Sequence, residues 1–116
     1  IGGILNYGNN KYKTVEDGSI VVGKDKLYIS ADVKSHYNEE NDIFYIEGIL
    51  INNTEKEYSS ISLAYVVYDV EGNILGNAHA YLSKISGKES WKFKAIYSDM
   101  DSSEAASYKL VSVEYY

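Results

Sequence analysis

Few residues of this sequence have side chains suited to chemistry, and the first candidates are the adjacent Tyr68 and Asp69. A carboxylate beside a phenol could serve as a general acid or base. Asp69 also directly precedes the segment Val70-Glu71-Gly72-Asn73, in which Gly suits a turn residue with positive φ. An aspartate in that place accepts hydrogen bonds from the amides of the turn. We therefore expect Asp69 to cap the turn rather than to act in catalysis.

A second acidic group, Asp99, Asp101 and Glu104, lies in the segment 98–107. Three carboxylates at short spacing could contribute to a Ca²⁺ site, which takes about six to eight oxygen ligands. The spacing does not follow an EF-hand loop, because no Gly stands at the sharp turn and the alternation of ligands stops after Asp101. The sequence favours a solvated loop and predicts no metal site, but it leaves calcium binding by this loop open.

His36 and His79 are the two histidines of the chain, and neither belongs to a catalytic motif. No HExxH sequence, nucleophile elbow or phosphate-binding glycine loop accompanies them. We expect both on the surface. The sequence therefore predicts no catalytic residue and no cofactor, and it favours a protein that is not an enzyme.

The segment Asn52-Asn53-Thr54 matches the glycosylation sequon. We expect a structural role instead, in which a side-chain amide bonds the loop that leads into the next strand.

Composition excludes several classes of function. The chain has 116 residues, 45% of them hydrophobic, and a net charge of −6. An acidic chain whose basic residues are all lysines is a poor candidate for binding nucleic acid. No apolar run approaches the ~20 residues of a membrane span, so we expect membrane contact only through an anchor outside this chain. Residue 1 is isoleucine, so a removed signal, an anchor or a tag is expected to precede it.

Apolar and polar residues alternate with the period of half-buried strands over most of the chain. Gly48 lies inside one predicted strand and indicates room for a large side chain, for which Trp91 is our candidate. Segment 1–26 is predicted to be an N-terminal extension or an edge strand. The strands with regular alternation, and their expected core-facing residues, are 27–37 (Leu27, Ile29, Ala31, Val33), 43–51 (Phe44, Ile46, Gly48, Leu50), 61–69 (Ile61, Leu63, Tyr65, Val67), 74–82 (Ile74, Gly76, Ala78, Ala80, Leu82) and 89–97 (Trp91, Phe93, Ala95, Tyr97).

The last strand, 108–116, has an ambiguous phase, because Val111 and Val113 oppose Tyr108 and Leu110. A β-bulge, or burial on both faces, would explain this pattern. Short strands joined by turns, with no helical periodicity of useful length, predict one all-β domain over residues 1–116. We expect an immunoglobulin-like antiparallel β-sandwich of about six to eight strands.

The outward face of two predicted strands is unusually apolar. Its residues are Tyr45, Ile49 and Ile51 on one strand and Val66 and Tyr68 on the other. If the two strands are neighbours, these side chains form one patch opposite the core. Such a patch is either covered by the N-terminal segment 1–22 or free to contact another molecule. We favour the internal cover and keep an interaction patch as the alternative.

Several short motifs follow one another in residues 43–116. They are Ile46-Glu47-Gly48 with Asn52-Asn53, then Tyr65-Val66-Val67-Tyr68-Asp69, Gly72, Gly87-Lys88-Glu89, Trp91-Lys92-Phe93 and Ser107-Tyr108-Lys109-Leu110. In this order they resemble the FxLYD domain, a small immunoglobulin-like β-sandwich of secreted proteins and lipoproteins in Gram-positive bacteria. Tyr65 and Val67 stand where the family has Phe and Leu, and Ser86 replaces the usual Pro. These departures keep the apolar pattern.

The resemblance implies a fold and a setting but no catalytic residues, because the family has no established enzymatic activity. We therefore expect a non-catalytic interaction or spacer module of a bacterial cell-envelope protein or secreted lipoprotein. It would lie outside the cell or be anchored to the envelope, with a protein or a cell-wall ligand as its partner. The alternative is a domain that binds a carbohydrate or a peptide through surface tyrosines or a free strand edge.

Overall fold

The computed structural model describes residues 27–30 and 32–116, and the backbone of residues 12–14 and 20–22. Within these residues the chain forms nine antiparallel strands and one 3₁₀ turn, so the predicted all-β class is confirmed. The strands are β1 (Tyr12–Thr14), β2 (Ile20–Val22), β3 (Leu27–Ile29), β4 (Lys34–Asn38), β5 (Ile43–Asn52), β6 (Tyr58–Tyr68), β7 (Ile74–Ile85), β8 (Ser90–Tyr97) and β9 (Ser107–Glu114), and the 3₁₀ turn is Ser102–Glu104.

The strands form one curled sheet in the order β1-β2-β3-β5-β8-β7-β6-β9, and β4 pairs with β5. β7 and β8 are joined by the single residue pair His79–Ile96, where the sheet turns back on itself. The core lies inside the curl. Its two sides meet where Tyr65 of β6 stacks on Phe93 of β8, with 6.2 Å between ring centroids.

The N-terminal segment contributes edge strands in its described part. β1 pairs with β2, and β2 pairs with β3, so both strands extend the sheet beyond β3. This is one of the two alternatives predicted for residues 1–26, and β2 coincides with the apolar run at 20–22. The sequence did not indicate β1, because its residues are polar and have no regular period. The rest of the segment lies outside the described residues.

The predicted inward residues of β5, β6 and β8 form most of the core. Trp91 is half-buried, and Ala31 on the first strand lies outside the described residues. The fully or almost fully buried members from these strands are Phe44, Ile46, Leu50, Ile61, Leu63, Tyr65, Val67, Phe93, Ala95 and Tyr97.

Gly48 and Phe93 are directly opposite each other on β5 and β8. A Cβ on Gly48 would lie 2.7 Å from Cζ of Phe93, so the phenyl ring occupies the space that the glycine leaves. The predicted large side chain at this glycine is therefore present, but the choice of Trp91 is wrong. In the antiparallel register Trp91 is opposite Leu50, and its ring packs edge-on against Phe93 at 5.9 Å.

β6 and β7 form the predicted hairpin, but a bulge changes the faces of the first residues of β7. β7 has one extra residue, Leu75, between its paired residues Ile74 and Gly76. Leu75 consequently packs against the core, and Ile74 is 69% exposed. The predicted inward position of Ile74 is therefore wrong.

Small inward residues on β7 leave room for an aromatic side chain from β8, as the sequence predicts. A Cβ on Gly76 would lie 2.6 Å from Cε1 of Tyr97. The Tyr97 hydroxyl proton is shared between the carbonyl oxygen of Leu75, at 3.1 Å, and the carboxylate of Asp101. Burial, reinforced by the hydrogen bond to Asp101, raises the pKa of Tyr97 above its ordinary value.

β9 contains the bulge that its ambiguous pattern predicts. Leu110 and Ser112 pair with consecutive residues of β6, so Val111 is the extra residue. Leu110 and Val113 therefore both face the core although they are three positions apart.

The strand predicted along the outer edge of β5 is divided into β3 and β4. Ile29 is opposite Leu50, and Lys34 is opposite Glu47. The chain from β3 to β4 therefore advances five residues where β5 advances three. Ser30, Asp32 and Val33 therefore lie outside the regular ladder. This break opens the sheet edge beside the middle of β5.

Candidate functional site

The apolar patch predicted on the outward face is not assembled in the structure. Its members are Tyr45, Ile49 and Ile51 on β5 and Val66 and Tyr68 on β6. β8 and β7 lie between these two strands, so the condition that they are neighbours is not met. Val66 is buried, and the other side chains are half-buried. The patch depended on that condition, which fails because β8 pairs with β5 on the side away from β3 and β4. The favoured cover by side chains of segment 1–22 lies outside the described residues.

The β5 members of that patch belong instead to a face shared by β4, β5 and β8. We call it the outer face, and it comprises Lys34 and His36 of β4, Tyr45, Glu47, Ile49 and Ile51 of β5, and Lys92, Lys94 and Ile96 of β8. Directly opposite residues of neighbouring strands have Cβ atoms about 5 Å apart, so the pairing makes rows across the face. One row is Lys34–Glu47–Lys94, and the next is His36–Tyr45–Ile96.

Glu47 and Tyr45 organise the charged part of the outer face. The Glu47 carboxylate lies 3.8 Å from Nζ of Lys94 and 3.9 Å from Nδ1 of His36. The Tyr45 ring stacks on the His36 imidazole at 5.1 Å, and Nζ of Lys94 lies 5.1 Å from the centroid of the same ring. Asn41 donates to the Tyr45 hydroxyl at 2.6 Å. Because β4 and β8 flank β5 on opposite sides, the Tyr45 ring is held between an imidazole and an ammonium group.

Beside this cluster the outer face has an open concavity of about 540 Å³, which we call the notch. It lies beside the break between β3 and β4 along the outer edge of β5. The residues that line the notch are Asp32, Lys34, Glu47, Gly48, Ile49, Lys92, Phe93 and Lys94. Phe93 is almost fully buried, so Ile49 supplies the apolar side chain of the floor, and the rim has three ammonium groups and two carboxylates.

Sequence reasoning missed the notch as a site. The alternation of strand 89–97 leaves Lys92 and Lys94 opposite its core-facing residues, and both are exposed. It did not place Lys34 near them, because their proximity depends on the lateral order of β4, β5 and β8.

Both histidines are exposed, as predicted. The exposed tyrosines among the described residues are Tyr81 on β7 and Tyr116 after β9. They lie on different strands and form no row, and Tyr45 has both ring faces occupied. The arrangement therefore does not favour sugar binding on a platform of tyrosines.

Asp69 has the predicted role of a turn cap. Its Oδ1 accepts hydrogen bonds from the amides of Glu71 at 2.9 Å and Asn73 at 2.8 Å. These bonds, above all the one from Asn73, hold the pKa of Asp69 below its ordinary value. The Tyr68-Asp69 pair is thus part of the hairpin turn.

Two carboxylates of the acidic loop accept hydrogen bonds from neighbouring residues. Asp101 accepts from the Tyr97 hydroxyl, and Asp99 accepts from the amide of Met100 at 2.7 Å. The Ser102 hydroxyl is buried and accepts from the amide of Asp99 at 2.8 Å. Within the described residues, no group of three or more His, Asp or Glu side chains could hold a metal ion.

Asn52 is fully buried and has the structural role that the sequence predicts. Its Nδ2 donates to the carbonyl oxygens of Lys56 at 2.7 Å and Ser86 at 2.9 Å. Its Oδ1 accepts from the amide of Thr54 at 3.1 Å and from the Thr54 hydroxyl at 2.7 Å. The amide thereby joins the loop after β5 to the turn after β7.

No family model matches this chain, and no curated protein matches it. Among solved structures it is similar to the crystal structure of a DUF1425 family member from Shewanella sp. pv-4. The two share 18% sequence identity and a TM-score of 0.55, over 97% of this chain and 95% of that one. At this identity the likeness shows the fold alone. In the described part of the chain, no helix has the length and apolar character needed to cross a membrane.

Proposed function

We propose that this chain is a non-catalytic interaction or spacer module of a bacterial cell-envelope protein. In this proposal it is an immunoglobulin-like sandwich of the FxLYD type, carried by a secreted protein or lipoprotein of a Gram-positive bacterium. The all-β fold and the order of motifs over residues 43–116 support it. The similar structure from Shewanella, a Gram-negative genus, indicates that the fold itself is not confined to Gram-positive cells.

The observation that carries the interaction role is the outer face. On three adjacent strands, charged and aromatic side chains contact one another beside an open notch. The pair that resembled a catalytic site, Tyr68 and Asp69, serves the hairpin turn instead. A concavity that combines an apolar floor with a few placed charged groups is typical of a ligand-binding site.

A second candidate is a domain that binds a small ligand or a peptide. The notch favours the ligand, and a peptide would need a strand edge to which it could add.

Two measurements test the proposal. Fractionation of the source bacterium with an antibody against this domain is expected to find the protein in the envelope or the medium. Thermal-shift assays with solubilised cell-wall fragments are expected to raise the melting temperature, because a ligand that binds the folded state stabilises it. Recovery in the cytosol contradicts the envelope setting, and unchanged melting with every fragment contradicts the binding role.

A further inference from the structure

We infer that the notch binds an acidic oligosaccharide, a sugar chain that carries carboxylate groups. This inference rests on the proposed role of the chain as an interaction module and specifies its ligand.

The rim of the notch has the donors and acceptors that such a ligand needs. Lys34 on β4 and Lys94 on β8 stand on opposite sides of β5, about 10 Å apart if each strand spacing is about 4.8 Å. Lys92 lies two residues along β8, beside Ile49. Among the described residues, Lys34 and Lys92 have no carboxylate partner, so their ammonium groups are available to the carboxylates of a ligand.

The carboxylates that line the notch suit the hydroxyl groups of a sugar, and Glu47 lies between Lys34 and Lys94. Asp32 and Glu47 accept hydrogen bonds, and a hydroxyl can donate to them. Ile49 gives the floor an apolar surface for the carbon face of a sugar ring. Anions at the rim and hydroxyls between them therefore match the order of charges across the notch.

The distribution of charge on the molecule also favours an anionic ligand at this place. Three lysines against two carboxylates give the notch a net charge of +1, in a chain whose net charge is −6. The turns that follow β4, β6 and β8 lie at one end of the sheet, because Phe44 is opposite Tyr97 and the amide of Ala106 donates to the carbonyl oxygen of Tyr68. Together they have eight carboxylates and no lysine. These carboxylates are Glu39, Glu40, Asp42, Asp69, Glu71, Asp99, Asp101 and Glu104. An anionic ligand is repelled from that end and accepted at the notch.

Two other classes of ligand fit less well. A peptide is recognised largely through its main chain, but most of β5 is paired with β3, β4 and β8. A nucleic acid needs free aromatic faces for its bases, but Tyr45 is held between His36 and Lys94. Glu47 would also repel closely spaced phosphates.

Calorimetric titration of the 116-residue chain with oligogalacturonate tests the inference. Lys34→Gln and Lys92→Gln are each expected to weaken binding about five- to ten-fold, because each removes one charge-assisted contact. Lys109→Gln is the matched control, an exposed strand lysine on β9. It is expected to stay within about two-fold of the original protein. A neutral galactose oligomer of the same length is expected to bind at least about ten-fold more weakly.

Several results would overturn the inference. They are equal binding of the neutral oligomer, equal weakening by Lys109→Gln, and tighter binding of oligothymidylate than of oligogalacturonate. If cell-wall fragments bind but neither lysine variant at the notch matters, the assigned site is wrong and the interaction module stands. If neither fragments nor oligogalacturonate bind, the inference and the interaction role both fail, and only the spacer role stands. Unchanged melting temperatures of the variants verify that each one folds.

Discussion

Replacement of Asn52 by alanine is expected to destabilise the protein by about 3–4 kcal/mol. The substitution removes four hydrogen bonds, two donated by Nδ2 and two accepted by Oδ1. Each such bond contributes about 1 kcal/mol net, and a buried group left without a partner costs more. The side chain is fully buried, so water does not replace these bonds without opening the loop. For a chain of this size the melting temperature is expected to fall by roughly 10–15 °C.

Urea unfolding followed by the fluorescence of Trp91 measures this loss. Trp91 is the single tryptophan and is half-buried against Phe93, so its emission reports on the core. Asn53→Ala is the matched control, because Asn53 is the exposed neighbour of Asn52 and is expected to change stability by less than about 0.5 kcal/mol. The reasoning is refuted if Asn52→Ala loses less than about 1 kcal/mol, or no more than the control.

Four further substitutions test other parts of the fold. Gly48→Ala is expected to cost about 1–3 kcal/mol in urea unfolding, because its Cβ would meet the ring of Phe93 at 2.7 Å. Gly72→Ala, at φ +87 in open space, is expected to cost only about 1 kcal/mol, and the reverse order would contradict the packing argument. Asp69→Ala is expected to lower the melting temperature at neutral pH. Because the pKa of Asp69 is lowered, this difference should shrink as pH falls from 3.8 through the lowered pKa, and a pH-independent difference would count against the cap. The pKa of Tyr97 is raised, so its contribution to stability is complete below pH 10.0 and is lost at higher pH. The melting temperature of the Tyr97→Phe variant should therefore fall less steeply with rising pH above 10.0 than that of the original protein.

Local alternation predicted which residues face the core, since it depends on each strand alone. The two bulges show the limit of this reasoning. In β9 the bulge was visible because the apolar phase changes between Leu110 and Val113. In β7 it was not visible, because Ile74 and Leu75 are both apolar and either could face inward. The pairing with β6 decides between them, and that partner is not written in the local pattern.

The outer face required information that no single strand contains. Lys34, Glu47 and Lys94 are far apart in the sequence and become one row because β4 and β8 flank β5. The assumption that β5 and β6 pair as consecutive strands placed Val66 and Tyr68 on the wrong part of the molecule. Lateral strand order is set by long-range packing, so the candidate site followed only from the assembled sheet.

The bulge at Val111 also bears on the alignment of β9 with β6. A slip of one residue along a paired strand turns its side chains to the opposite face of the sheet. β9 buries Leu110 before the bulge and Val113 after it, and the extra residue Val111 lies between the residues paired with Tyr65 and Ala64. A shifted alignment would turn buried apolar side chains toward solvent. The residue that corrects the phase of the last strand thus also fixes its register.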